Sequence, residues 1–165
     1  MSLASSNFAR TINRIAIPVS KVDRNALVPY SAAQMYQLVN DVQSYPEFLP
    51  WCVDCEIHHK TDEEQKASLK FAKGALKVSF TTVNQLTANE RIEMHLVEGP
   101  FHHLKGIWGF VPIAEDASKV TLLMEFELAN PILKATLGPL FNQISDRLVS
   151  DFVKRAEQVY GSGTV

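Results

Sequence analysis

Six segments in the middle of the chain alternate apolar and polar residues, which is the pattern of strands with one buried face. Short polar turns separate these segments, so consecutive ones are predicted to pair antiparallel. Another strand is predicted ahead of them, over residues 22–28. The six alternating segments are residues 53–60, 65–72, 75–86, 91–98, 102–111 and 119–128.

The alternation gathers large apolar side chains on one face of the predicted sheet and most lysines and glutamates on the other. One face is therefore predicted to be buried and the other hydrated. The predicted buried face includes Ala67, Leu69, Phe71, Phe80, Met94, Leu104, Trp108, Phe110, Leu122, Met124 and Phe126.

Two short helices are predicted between the first strand and the other six. Ser31 precedes Gln34 at the spacing of a capping box, so a helix is expected to begin there and to end near Asn40. Ser44 is expected to cap a second, shorter helical turn.

The last predicted element is an amphipathic helix of about 30 residues that begins at Asn130-Pro131, a favourable N-cap followed by proline. Gly138-Pro139 is expected to kink or break this helix. The element order predicts an α+β fold in which a long helix crosses the concave face of a curved, seven-stranded antiparallel sheet. A helix in that position covers the concave face without filling it, which predicts a cavity.

A length of 165 residues with 46% apolar residues fits one domain, predicted over residues 21–160. Residues 1–20 contain no acid and are expected to form a poorly ordered extension, and residues 161–165 a frayed tail. The net charge of −2 gives no general affinity for nucleic acid, so no DNA partner is expected. No apolar run approaches the roughly 18 residues of a membrane span, which indicates a cytoplasmic protein.

An unusually apolar turn, Tyr45-Pro46-Glu47-Phe48-Leu49-Pro50-Trp51, follows the predicted short helices. Its two prolines are expected to keep it out of any regular element. Because loops are normally polar, we expect this turn to fold over an apolar cavity or to present a contact surface.

Residue types that carry catalysis or bind metals do not form a convincing site. Cys52 and Cys55 lead into a strand, where residues three apart point to opposite faces, so ordinary core cysteines are expected rather than a redox or zinc pair. Asp54, Glu56 and His58 share the predicted hydrated face. We therefore predict no metal, no required cofactor and no enzymatic activity.

Small or polar residues interrupt the predicted buried face at Ala67, Thr82, Asn84 and Gly106. Missing side-chain volume beside large aromatic residues is typical of lipid and cofactor sites, where a polar group such as Thr82 or Asn84 could bind a ligand carbonyl. A close-packed core with polar residues near its rim fits the same pattern.

Lysines cluster on the hydrated face of one predicted hairpin, which would form a local positive patch for RNA phosphates or anionic lipid headgroups. An ordinary solvated strand face explains them equally. The patch comprises Lys66, Lys70, Lys73 and Lys77.

Two long strings, VPYSAAQMYQLVNDVQSYPEFLPWC and VEGPFHHLKGIWGFVP, together with the terminal amphipathic helix, resemble the coenzyme-Q-binding START-domain family. Within it, the chain is similar to the bacterial branch called ribosome association toxins. The resemblance implies a helix-grip fold and a tunnel for ubiquinone or a similar prenyl lipid, in support of respiration and with transient membrane contact. The toxin branch implies an alternative, a type II toxin that binds the large ribosomal subunit and blocks subunit association.

The resemblance also implies a set of ligand-binding residues. The tunnel mouth would include the apolar turn together with Gly99, Pro100 and Phe101. The ligand-binding residues so predicted are Tyr45, Phe48, Leu49, Trp51, Phe80, Phe101, Trp108, Phe110, Phe141, Ile144 and Leu148.

Overall fold

The computed structural model describes residues 19–162, and within them one antiparallel sheet carries three helices. The strands lie in the order β1-β7-β6-β5-β4-β3-β2. This confirms the predicted α+β helix-grip architecture. The strands are β1 Ser20–Val28, β2 Cys52–Lys60, β3 Glu64–Lys73, β4 Leu76–Thr87, β5 Arg91–Glu98, β6 Phe101–Ala114 and β7 Ala117–Leu128. Of the predicted extension over residues 1–20 and tail over 161–165, residues 1–18 and 163–165 lie outside the described residues, whereas Ser20 already belongs to β1.

Helix α1, Ala32–Asn40, begins with the predicted capping box. The Ser31 Oγ accepts the backbone N–H of Gln34 at 3.1 Å, and the Gln34 side chain accepts the Ser31 N–H at 2.9 Å. Each bond satisfies a backbone donor that the first helical turn leaves unpaired.

The apolar turn is more regular than predicted. Val42–Ser44 forms a 3₁₀ turn, and Tyr45–Phe48 forms the short helix α2. Pro46 fits inside α2 because it lies in the first turn, where no intrahelical donor is required. Ser44 occupies the N-cap position of α2 as expected, but its side chain makes no capping bond, since its hydroxyl donates instead to the Asp41 Oδ2 at 2.6 Å.

Helix α3, Pro131–Tyr160, begins as predicted with the Asn130 side chain accepting the Leu133 N–H at 2.8 Å. It continues through Pro139, so the expected break is absent. Proline removes one backbone donor from the helix, but Leu137 before it and Phe141 after it are buried in one apolar cluster with side chains of the sheet and hold both parts in place. No helix among the described residues is long and apolar enough to cross a membrane.

Two apolar clusters fill the space between the sheet and the helices. The first lies beneath α1 and α2 and includes Trp108 and Phe152, and the second surrounds Phe71 and Phe141. Trp51 packs against both clusters, so it lies at the boundary between them.

Replacing Ser31 with alanine is expected to lower the free energy of unfolding by about 1 kcal/mol, because the α1 N-cap loses its acceptor. Urea unfolding measures this loss. Ser44→Ala is the matched control, since the Ser44 side chain caps no helix, and a change of less than about 0.5 kcal/mol is expected there. Equal losses in the two variants would contradict the assigned cap.

Candidate functional site

An apolar cavity of about 80 Å³ lies between α3 and the concave face of the sheet. It forms because α3 packs against β1, β7 and α1, while much of the cavity wall comes from the strands β3 to β6. The lining residues are Tyr45, Trp51, Leu69, Phe71, Phe80, Thr82, Met94, Phe101, Leu104, Trp108, Met124, Phe126, Phe141, Ile144, Ser145, Leu148 and Phe152.

Aromatic rings form most of the cavity wall and pack on one another. At one end the Phe71 ring lies 4.7 Å from the Phe80 ring and 4.8 Å from the Phe141 ring, measured between centroids. At the other end the Phe152 ring meets Trp108 edge-on at 5.3 Å. Such pairs contribute about 0.5–1.5 kcal/mol each beyond area burial, so a ligand that separates them must offset that loss.

Two hydrogen-bond donors on the cavity wall have no partner within residues 19–162. The Ser145 Oγ and the Trp51 Nε1 are both shut off from solvent and make no hydrogen bond to that part of the chain. A buried polar group without a partner costs about 1–3 kcal/mol. An acceptor oxygen placed in the cavity would recover part of that energy, whereas the Thr82 hydroxyl already donates to the Asn84 Oδ1 at 3.1 Å.

The size of the cavity limits what it holds as it stands. Drug-sized ligands occupy pockets of roughly 300–1,000 Å³, several times the 80 Å³ of this cavity. A prenyl lipid would therefore enter only if α3 and the aromatic wall moved apart.

The structure brings together eight of the predicted ligand-binding residues on the cavity wall. Leu49 and Phe110 are instead buried in the core, with the Phe110 ring edge-on to Tyr36 at 5.7 Å. Phe48 lies outside the cavity because its ring packs on Phe152, with the Arg155 guanidinium 4.9 Å from its centroid. The eight on the wall are Tyr45, Trp51, Phe80, Phe101, Trp108, Phe141, Ile144 and Leu148.

Other wall residues were not predicted as ligand-binding. Leu69, Phe71, Met94 and Phe126 belonged to the predicted buried face, and only the strand alternation pointed to them. Ser145 and Phe152 belong to α3, at helical spacing from Phe141 and Ile144. This helical spacing is the sequence signal that could have identified Ser145 and Phe152 as wall residues.

The spare volume predicted at Gly106 is already filled. A Cβ placed on Gly106 would lie 2.3 Å from the Met94 Cε, so the methionine methyl group occupies the space. Ala67 is buried but does not line the cavity. Methionine is flexible enough to fill such gaps, which alternation alone does not reveal.

The predicted lysine patch is divided between two faces of the protein. The Lys73 Nζ reaches α3 and donates to the Gln143 Oε1 at 3.2 Å. The partners of Lys70 and Lys77 in the sheet ladder are Asp54 and Ala72. The outer face of this hairpin, with Lys66, Lys70 and Lys77, therefore mixes charges and is not purely positive.

The carboxylate and imidazole group on the outer face of β2 forms no metal site. Within residues 19–162, no group of three or more potential ligands is placed to hold an ion. The His58 Nε2 instead forms a hydrogen bond with the Ser68 Oγ at 2.7 Å, and the Glu56 carboxylate lies 3.9 Å from the His58 Nδ1.

Cys52 and Cys55 both belong to the concave face, contrary to the predicted opposite orientations. They pair with Phe71 and Leu69, whose side chains line the cavity. A β-bulge between Cys52 and Asp54 adds one residue to β2, so the alternation shifts by one position and both cysteines come to lie on the concave face. Both thiols are free.

Burial raises the pKa of the Cys52 thiol to about 12, and the same cause raises the pKa of Cys55. Since the thiolate is the nucleophile, iodoacetamide at pH 9 is expected to modify Cys52 at least about tenfold more slowly in the folded protein than in urea. Cys55→Ala isolates this thiol, and mass spectrometry measures its modification. Equal rates in both states would contradict the assigned burial.

The raised pKa of Cys52 also gives stability a pH dependence. The unfolded thiol ionises near pH 8.5, so the stabilising contribution is complete below that pH. It is lost as pH rises toward the folded value of about 12.

These features define a helix-grip protein with an apolar cavity between its sheet and its long helix. Residues 28–153 match the family described as polyketide cyclase/dehydrase and lipid transport, and the chain belongs to that family.

Curated relatives extend the resemblance over nearly the whole described chain. The chain is 46% identical to the "Ribosome association toxin RatA" of Pseudomonas aeruginosa over 140 residues, which cover 85% of this chain and 97% of the relative. It is 24% identical over 162 residues to "Coenzyme Q-binding protein COQ10, mitochondrial" of Dictyostelium discoideum, covering 96% and 79% of the two chains.

Solved structures show the same fold at low identity. A START superfamily protein from Mycobacterium smegmatis has a TM-score of 0.71 at 20% identity, covering 84% of this chain and 98% of that one. The Zhui aromatase/cyclase from Streptomyces has a TM-score of 0.73 at 16% identity, covering 88% and 98%. At such identities the likeness shows the fold alone.

Proposed function

We propose that the protein is a non-enzymatic binding protein for an apolar ligand that carries an acceptor oxygen, with ubiquinone or a related prenyl lipid as the leading candidate. The observation that carries this proposal is the apolar cavity with two donors, Trp51 Nε1 and Ser145 Oγ, that have no partner among the described residues. A quinone carbonyl supplies such an acceptor, and its prenyl chain suits aromatic walls. The coenzyme Q-binding relative supports the same ligand class.

Binding requires the cavity to expand, and the ligand must supply the difference in free energy. Each methylene moved out of water contributes about 0.8 kcal/mol, so a prenyl chain of several units has enough apolar surface to offset the aromatic contacts that it separates. We therefore expect bound and free structures to differ around α3.

Titration with a short-chain ubiquinone analogue tests this proposal, because both tryptophans of the chain line the cavity. Saturable quenching of tryptophan fluorescence is expected, and organic extracts of the purified protein should contain a prenyl lipid by mass spectrometry. The absence of both signals would reject the proposal.

Ser145→Ala is expected to weaken quinone binding about tenfold, because the cavity loses a hydrogen-bond donor. Ser150→Ala on the exposed face of α3 is the matched control, and it should bind the analogue as the unaltered protein does. Equal affinities in the two variants would show that Ser145 does not contact the ligand.

We propose as a second function that the protein associates with the large ribosomal subunit in the cytoplasm and blocks subunit association. Relatives at 42–46% identity from Pseudomonas aeruginosa and Escherichia coli support it, since both are named ribosome association toxins. The outer-face lysines Lys66, Lys70 and Lys77 could meet rRNA phosphates.

Sedimentation profiles of a ribosome extract with added protein test this second function. Excess protein is expected to increase free subunits at the expense of intact ribosomes, and Lys66→Gln/Lys70→Gln/Lys77→Gln should shift the effect to higher protein concentration. Unchanged profiles at large excess would reject ribosome association, whatever the result for lipid.

A further inference from the structure

A groove of about 270 Å³, lined by apolar side chains and by four polar or charged ones, opens to solvent directly outside the cavity. Trp51 and Ile144 line both spaces, so these two side chains form the partition between the groove and the cavity. The groove lies between the segment that follows α2, the end of β3 and the middle of α3. It is lined by Pro50, Trp51, Ala72, Lys73, Leu140, Gln143, Ile144, Arg147 and Asp151.

Two cations face this groove without a carboxylate at ion-pair distance among the described residues. Among the described residues, neither Lys73 nor Arg147 has an acidic oxygen within 4.0 Å, and Lys73 donates only to the neutral Gln143 side chain. Asp151 is the acid in the groove, and burial raises its pKa while Lys154 and Arg147 oppose that rise. The groove therefore carries two positive charges against one negative charge.

The apolar cavity and the adjacent groove match the two parts of an amphiphile. The cavity is apolar, the partition carries an indole N–H with no partner, and the groove outside it is cationic. A ligand with its chain in the cavity would place its headgroup in the groove, between Lys73 and Arg147. Lysine and arginine bind carboxylate and phosphate oxygens through charge-assisted hydrogen bonds.

We infer that the groove formed by Trp51, Lys73, Gln143 and Arg147 is a headgroup site that selects amphiphiles with an acidic headgroup, such as a carboxylate or a phosphate. The inference rests on the proposed apolar ligand cavity and adds the charge of the ligand, so within the proposed ligand class it favours an acidic prenyl lipid over the neutral ubiquinone. The Lys73–Gln143 hydrogen bond spans the groove between β3 and α3, so an acidic headgroup would replace the glutamine as the lysine partner.

Matched ligands of one chain length separate the headgroup site from the cavity. Dodecanoate and dodecanol, each below its aggregation limit, are titrated against the full chain with tryptophan fluorescence as the readout. Dodecanoate is expected to bind about tenfold more tightly than dodecanol, and this advantage should shrink as salt is raised.

Lys73→Gln/Arg147→Gln is expected to abolish the preference for dodecanoate while dodecanol binds as before. Lys66→Gln/Lys77→Gln removes the same charge from other positions and should leave the preference intact. Circular dichroism verifies that both variants fold.

Other outcomes would refute the headgroup site alone or the cavity proposal as well. Equal affinity for the two ligands in the unaltered protein would refute the headgroup site and leave the cavity proposal standing. Binding of neither ligand would refute both. Inorganic phosphate alone is the third probe. If phosphate binds at the same concentration as dodecanoate, the groove is a free-anion site instead of an amphiphile site.

Discussion

Phe152→Ala is expected to lower the free energy of unfolding by about 4 kcal/mol, because it deletes a fully buried ring at the junction of α2, α3 and the sheet. Phe152 is 1% exposed. Its ring packs edge-on against Tyr45, Phe48 and Trp108, each with a centroid separation of 5.3 Å. Urea unfolding followed by circular dichroism measures the loss.

The control for this variant is Ile132→Ala, which removes an apolar side chain from the same helix. Ile132 is 75% exposed, so a change of less than about 0.5 kcal/mol is expected. Similar losses in the two variants would contradict the assigned packing of α3.

The Phe152→Ala variant also enlarges a cavity that Phe152 lines. Engineered apolar cavities of about 150 Å³ stay dry and bind benzene. Saturating benzene is therefore expected to stabilise the variant more than the unaltered protein, because only ligand bound to the folded state shifts the unfolding equilibrium. No difference between them would show that the site collapses when the ring is removed.

The sheet and the long helix could be predicted from the sequence because each has one dominant period. Alternation along β3, with Ala67 and Phe71 buried, and the capped start of α3 at Asn130 are local signals that the tertiary structure preserves. The Cys52 to Cys55 segment shows where such signals fail. A single bulged residue shifts the alternation of β2 by one position, and no local sequence pattern predicts this bulge.

The cavity could be predicted in position but not in volume. Which aromatic residues face it depends on how α3 lies across the sheet, and Phe48 and Phe110 pack elsewhere although they resemble their neighbours in sequence. The space expected at Gly106 is filled by Met94, which comes from the neighbouring strand. Cavity volume is set by such pairs across strands and is invisible in a single segment.

Gly99→Ala is expected to cost about 3 kcal/mol of unfolding free energy from two additive causes, a strained backbone and a steric clash. Gly99 has a φ of +152°, which side chains of L-residues rarely adopt. A Cβ there would lie 2.6 Å from the Phe80 Cβ and 3.2 Å from its Cα. Backbone and Cβ atoms cannot rotate away, so β4 must shift.

Gly74→Ala is the control for a positive φ without a clash. Gly74 has a φ of +59°, in the left-handed α region, and its Cβ would meet nothing within 4 Å, so only a backbone strain of about 1 kcal/mol is expected. The difference between the two variants in urea unfolding measures the clash with Phe80 together with the larger backbone strain at the φ of Gly99.

The clash should also reach the cavity, because the Phe80 ring stacks on Phe71 and packs against Phe101. All three rings line the cavity. Gly99→Ala is therefore expected to weaken binding of an apolar ligand as well as folding, whereas Gly74→Ala should affect folding alone. A Gly99→Ala variant that binds ligand normally would mean that the cavity wall tolerates displacement of Phe80, and that the flexible part of the cavity is the wall opposite α3.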